Sequence, residues 1–151
     1  GTDPANLLGR MDIWQRALLA VADFPLTGIG LGAFRRLAIA YAPFFNLDPV
    51  LIDVGHAHNI FLQTALDLGI PGLIAYVAAL LLVAVIGWRS YRRATSASGR
   101  LLSGGLLVSL LAFHLFCLTD AVAPGAKPAF TLWVFLGLIV ALGQVNVSED
   151  L

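Results

Sequence analysis

The sequence predicts an all-α membrane protein, a polytopic set of transmembrane helices that follows a polar helical head. The chain is 59% hydrophobic and only 12% charged, whereas about a quarter of the residues in a soluble domain are charged. Its mean hydropathy is +0.87. Three apolar segments lack acidic and basic residues, and each approaches the roughly 20 residues with which a helix crosses a bilayer.

The head is expected in residues 1–71 and begins with a helix over Asn6–Phe24. Its apolar positions recur at the period of a helix and form one stripe. They are Ile13, Trp14, Ala17, Ala20 and Val21. Asp12 and Arg16, four residues apart, are expected to form an ion pair on the opposite, polar face.

A glycine-rich segment, TGIGLGAF (Thr27–Phe34), ends this helix. A dinucleotide fingerprint follows a strand and opens a helix, and no strand precedes this segment. The alternating Gly28, Gly30 and Gly32 are instead expected to let the backbone turn tightly against a neighbour. A second short helix is predicted over Ala33–Tyr41, and a third is predicted to begin near His58.

The membrane region is predicted in residues 72–151, with spans over about 72–88, 101–119 and 128–145. The short loop after the first span is rich in arginine and is expected on the cytoplasmic side, which places residues 1–71 outside. Its arginines are Arg89, Arg92, Arg93 and Arg100. Because the chain starts in a polar loop, we expect further transmembrane helices upstream, so that it forms the C-terminal part of a larger membrane domain.

Charge and cysteine content exclude other classes. Nine basic residues balance nine acidic ones, so no net field attracts nucleic acid. The single Cys117 permits no intramolecular disulfide.

Arg10 lies in line with the apolar stripe of the first helix, and Ile13 and Trp14 follow it at i+3 and i+4 instead of a carboxylate. A guanidinium on a packed face suits a phosphate, to which it offers a planar fork of donors. The alternative is that Arg10 extends from the first turn into water.

Two histidines lie in the segment DVGHAHN, residues 53–59. A zinc site needs three or four ligands, and the other histidine and cysteine of the chain, His114 and Cys117, lie within a span, so no metal site is expected. His58 at the start of an apolar helix suits a general base, or it simply bonds to backbone. Asn59, Gln63 and Asp67 form a polar ridge along that helix.

His114 and Asp120 are the remaining polar residues of interest. His114 lies in the second span, where we interpret it as a neutral imidazole bonded to a neighbouring helix. Asp120 follows that span and either pairs with Lys127 across a short external hairpin or faces the active site.

The order of motifs resembles one known family. His58-Asn59, nine residues and then Gly69-Ile70-Pro71-Gly72 look like the signature of the O-antigen ligase and polymerase family of bacterial membrane glycosyltransferases. GRMDIWQRAL resembles the family's Arg-x-x-x-Trp helix, and FPLTGIGLGAF resembles its glycine turn. The resemblance covers about residues 9–80.

The resemblance implies transfer of a glycan from an undecaprenyl-diphosphate carrier to a hydroxyl of a glycan or lipid acceptor, at the outer face of the bacterial inner membrane. No metal or nucleotide cofactor is implied, because the diphosphate already activates the donor. His58 falls on the family's essential base of an inverting reaction, and Arg10 falls on an arginine that neutralises the diphosphate. A second such arginine of the family lies in a region upstream of this chain.

Substrate contacts are expected from residues around these two. They are Arg35, Arg36, His56, Asn59, Gln63 and Asp120. The alternatives are a transporter or channel subunit with an external gating loop, and a helical membrane module that only binds partners.

Overall fold

The computed structural model describes residues 4–36, 55–120 and 127–148, which form four long helices joined by turns. They are α1 (Pro4–Asp23), α2 (Ile60–Arg93), α3 (Ala97–Phe116) and α4 (Lys127–Ser148). The all-α prediction is confirmed. Of the short helix predicted over Ala33–Tyr41, residues 34–36 are helical, Ala33 belongs to the preceding turn, and residues 37–41 lie outside the described residues.

Among the helices that the structure describes, two are long and apolar enough to cross a membrane, α2 and α3. The apolar part of α4, Ala129–Gln144, is shorter than either of these two helices. The second span was predicted to extend to Thr119, but α3 ends at Phe116. After Phe116 the chain turns, and the carbonyl of Cys117 accepts a hydrogen bond from the N–H of Ile60 at 2.9 Å.

The chain divides into two compact units. The first comprises Gly1–Tyr76 with Cys117–Ala121, and the second comprises Val77–Phe116 with Val122–Leu151. The core of the second unit joins α3 to α4 through Leu106, Leu110, Leu132, Leu136 and Ile139. In the same unit the buried hydroxyls of Ser90 on α2 and Ser103 on α3 bond to each other at 3.1 Å. His114 Nδ1 lies 2.8 Å from the carbonyl of Leu110, one turn earlier in its own helix.

The apolar stripe of α1 packs as predicted in the first unit. Ala17 and Ala20 are fully buried. They contact Phe34, Ala57 and Leu66 in one cluster.

Arg16 was predicted on the polar face of α1, but the structure buries it. Its side chain is 1% exposed and pairs with Asp12. The predicted ion pair is therefore confirmed. Because the carboxylate partner on the same helix compensates the guanidinium, Arg16 can be buried beside the apolar stripe.

α2 is interrupted at Gly69, whose backbone leaves the helical region at φ 73° and ψ −178°. Two helical hydrogen bonds are lost there. Pro71 has no N–H to donate to the carbonyl of Asp67, and the N–H of Ile70 donates to Pro25 at 2.7 Å instead of to Leu66.

The glycine turn replaces those lost bonds. The N–H of Ile29 donates to the freed carbonyl of Leu66 at 2.7 Å, and the N–H of Gly30 donates to that of Asp67 at 3.2 Å. A methyl group on Gly28 would lie 2.6 Å from backbone atoms of Asp67 and Gly69. The glycines were expected to let the backbone turn tightly against a neighbour. That neighbour is the break in α2.

We predict that Gly28→Ala destabilises the protein by about 2–4 kcal/mol, because it adds a backbone clash to an unfavourable positive φ. Gly32 is the matched control, since its φ of 67° resembles the 65° of Gly28 but nothing lies within 4 Å of its added methyl. Gly32→Ala should cost only about 1 kcal/mol. Thermal unfolding of both variants in detergent checks this, and equal losses would contradict the close approach.

Candidate active site

The loop Gly55–Asn59 carries both histidines and is anchored through the residue between them. Ala57 is fully buried. Its N–H donates to Oε1 of Gln63 at 2.9 Å, and its carbonyl accepts the indole N–H of Trp14 at 2.9 Å. Since α1 and α2 each bond to the backbone of this one residue, the histidines on either side of it are held relative to both helices.

The two imidazoles lie against each other. Their ring centroids are 4.2 Å apart. His58 has a left-handed backbone, with φ of 48°, a conformation that histidine adopts more often than most residues. The N–H of His58 donates to Nδ1 of His56 at 3.3 Å, so this ring is neutral and carries its proton on Nε2. The two histidines of this segment therefore have different surroundings, although they lie only two residues apart.

Asn59 caps α2, which begins at Ile60, two residues after the predicted start at His58. Oδ1 of Asn59 accepts hydrogen bonds from the N–H groups of Phe61 and Leu62, both at 3.0 Å. Its amide Nδ2 donates to the carbonyl of Leu118 at 3.1 Å. The cap therefore also holds the turn that follows α3.

That turn brings Asp120 to His58. Oδ1 of Asp120 lies 3.2 Å from Nδ1 of His58, and the two side chains are 45% and 33% exposed. A neutral His58 that donates its Nδ1 proton to this carboxylate leaves the Nε2 lone pair free. Of the two sequence-based alternatives for Asp120, the structure places it at the histidine loop.

The polar ridge of α2 holds the histidine loop through side-chain hydrogen bonds. Gln63 and Asp67 are buried, with 5% and 3% exposure. Nε2 of Gln63 donates to Asp67 at 2.9 Å while its Oε1 holds Ala57. Asp67 also accepts the backbone N–H of Gly32. The ridge thus connects the glycine turn to the histidine loop, and Gln63 is enclosed.

The arginines of the first unit are placed differently. Arg10 is half-buried on α1, one turn before Trp14. Within the described part of the chain its guanidinium makes no hydrogen bond or ion pair. Arg35 and Arg36 are exposed where the glycine turn passes into the next helical residues. The structure therefore brings together His56, His58, Asn59 and Asp120, and places the three arginines on neighbouring elements.

Burial lowers the pKa of His56 below 6.5, the nearby His58 lowers it further, and Asp120 opposes the shift. Desolvation disfavours the charged imidazolium. The hydrogen bond that Nδ1 accepts requires the same neutral state.

His56, His58 and Asp120 form a group of metal-ligand type, with one ligand atom from each within 4.8 Å of the others. The prediction of no metal site rested on histidine and cysteine as the further ligands. It did not include the carboxylate of Asp120, which lies 62 residues beyond His58.

Sequence reasoning also missed the support of the site by Trp14 and Ala57. The indole of Trp14 was assigned to the apolar stripe alone. The Arg-x-x-x-Trp pattern, in which Trp14 lies four residues after Arg10, could have indicated that Trp14 belongs to the site.

A family model described as O-antigen ligase matches residues 1–77, half of the chain. The matched region contains α1, the glycine turn, the histidine loop and the break in α2. No individual curated protein matches the chain.

We predict that the protein becomes less stable as the pH falls below 6.5. The unfolded chain protonates His56 near that ordinary value, whereas the folded state has a lowered pKa and resists protonation. Protons therefore bind preferentially to the unfolded state as the pH falls from 6.5 toward the lowered value, and stability is lost in that window.

The apparent melting temperature between pH 7.5 and 5.5 measures this. His56→Asn is the comparison, because its amide oxygen keeps an acceptor for the N–H of His58 and does not titrate. The loss on acidification should be smaller in His56→Asn than in the wild type, and identical slopes would contradict the assignment.

Proposed function

Because the chain belongs to the O-antigen ligase family, we propose that it transfers a glycan from an undecaprenyl-diphosphate carrier to an acceptor hydroxyl at the outer face of the bacterial inner membrane. The full-length protein would act as a ligase or as a polysaccharide polymerase. The observation that carries the proposal is the partly exposed His58, whose Nδ1 lies 3.2 Å from Oδ1 of Asp120.

His58 acts as the general base in this proposal. Nε2 removes the proton of the acceptor hydroxyl as its oxygen attacks the anomeric carbon from the side opposite the carrier. The bond from that carbon to the diphosphate oxygen breaks, and the electron pair leaves on the diphosphate. The proton remains on His58 as an imidazolium, which the adjacent carboxylate of Asp120 stabilises.

Arg10 neutralises the departing diphosphate. It lies one helical turn from Trp14, whose indole bonds to the residue next to His58. Side chains one turn apart on a helix are roughly 5–6 Å from each other at Cβ, so a long guanidinium can reach a group bound at the histidine loop. Its lack of a partner among the described residues suits a site that an anion fills.

The other residues expected at the site surround His58 and Arg10. The exposed Arg35 and Arg36 would add positive charge for the diphosphate. Asn59 and the enclosed Gln63 act through the histidine loop. No metal or nucleotide is required, because the diphosphate is already a good leaving group.

His58→Ala in the full-length protein should reduce glycan transfer about 10²–10⁴-fold, the usual contribution of a general base. Arg10→Ala should reduce it about 10²–10³-fold through loss of charge stabilisation. The control is His114→Gln, because His114 lies in α3 and bonds within its own helix. Transfer from a purified lipid-linked donor measures all three, and unchanged glycan ladders in both test variants would refute the proposal.

Asp120→Asn tests whether Asp120 positions His58 or binds substrate. An amide can turn its NH₂ toward Nδ1 of His58 and favour the tautomer whose Nε2 carries the proton, which removes the base. We expect kcat to fall about 10²-fold or more while KM changes little. A raised KM with unchanged kcat would mean that Asp120 contacts the substrate.

A further inference from the structure

We propose that His56, His58 and Asp120 bind one Zn²⁺ ion and that the bound ion blocks glycan transfer. The binding site stands on the geometry of the three side chains. The inhibition rests on the proposed function, because it requires His58 to be the base.

The spacing of the three groups fits a zinc ion. Two ligands of tetrahedral zinc, each about 2.0–2.2 Å from the metal, lie roughly 3.3–3.6 Å from each other. Nδ1 of His58 and Oδ1 of Asp120 are already 3.2 Å apart. The ligand atom of His56 lies within 4.8 Å of both, and all three side chains are partly exposed, so a small rotation of the imidazole ring closes the site.

His56 can give up its present bond at little cost. The hydrogen bond from the N–H of His58 to its Nδ1 is 3.3 Å long, beyond the usual 2.7–3.2 Å. A neutral imidazole offers the metal one lone pair, on either nitrogen, at the expense of that contact alone. Two imidazoles and a carboxylate are ligands that zinc accepts, whereas magnesium and calcium prefer oxygen.

Zinc would inactivate His58 through either ring nitrogen. If zinc takes Nε2, it occupies the lone pair that receives the acceptor proton. If zinc takes Nδ1, the single proton of the neutral ring moves to Nε2, which is then no longer basic. Asp120 would also exchange its bond to the imidazole for a bond to the metal. Three protein ligands leave the fourth zinc position for water.

Zinc binding to the full-length protein, purified without a metal-binding tag, tests the site directly. Titration calorimetry with Zn²⁺ should show one ion per chain, and Mg²⁺ at the same concentration should not bind. His56→Asn and Asp120→Asn should each weaken zinc binding about tenfold or more, since each removes one of three ligands. His114→Gln should bind like the wild type. Absence of stoichiometric binding, or affinity unchanged in both ligand variants, overturns the site.

Transfer assays test the inhibition separately. Zinc should suppress transfer by the wild type and by His114→Gln, and a chelator should restore it. His56→Asn should retain its own zinc-free rate at the same zinc concentration. Stoichiometric binding with undiminished transfer would overturn the inhibition and leave the site. An active His58→Ala would overturn the proposed function, while the binding measurement would still decide the site.

Discussion

The break of α2 at Gly69 is the constraint on which the first unit depends. A helix that loses two hydrogen bonds inside a packed region leaves carbonyl groups that need donors. The glycine turn supplies those donors to Leu66 and Asp67, and Pro25 accepts the displaced N–H of Ile70. This exchange joins the end of α1 to the middle of α2, and the buried cluster around Ala17 and Leu66 forms beside it.

The site is rigid where it meets the core and open where it meets solvent. Ala57 is enclosed and bonded at both its N–H and its carbonyl, whereas the two imidazoles and Asp120 beside it are partly exposed. A base must be held in one orientation and still reach its substrate. Placing the anchor on the backbone of a small residue between the histidines satisfies both needs, because the bonds to Trp14 and Gln63 use neither imidazole ring.

Sequence alone predicted the features that depend on short-range periodicity. The stripe of α1, the Asp12–Arg16 pair, the polar ridge of α2 and the glycine turn all follow from residues close in the chain. The burial of Arg16 was not predicted, and the place of Asp120 near the site was left as one of two alternatives, because both depend on packing between elements distant in sequence. The roles of Arg10 and His58 were predicted partly from their place on a helix and partly from resemblance. They remain proposals.

The segment between the Asn59 cap and the Gly69 break sets a rotational phase as well as a length. Residues of an α-helix advance by about 100° and 1.5 Å each. One inserted residue would rotate the break away from the glycine turn while the cap still held Leu118. One deleted residue would rotate it away in the opposite direction. The number of residues between Asn59 and Gly69, which is nine, therefore fixes the angle around the helix axis between the cap and the break. Their identities can vary on the outer face, but their number cannot.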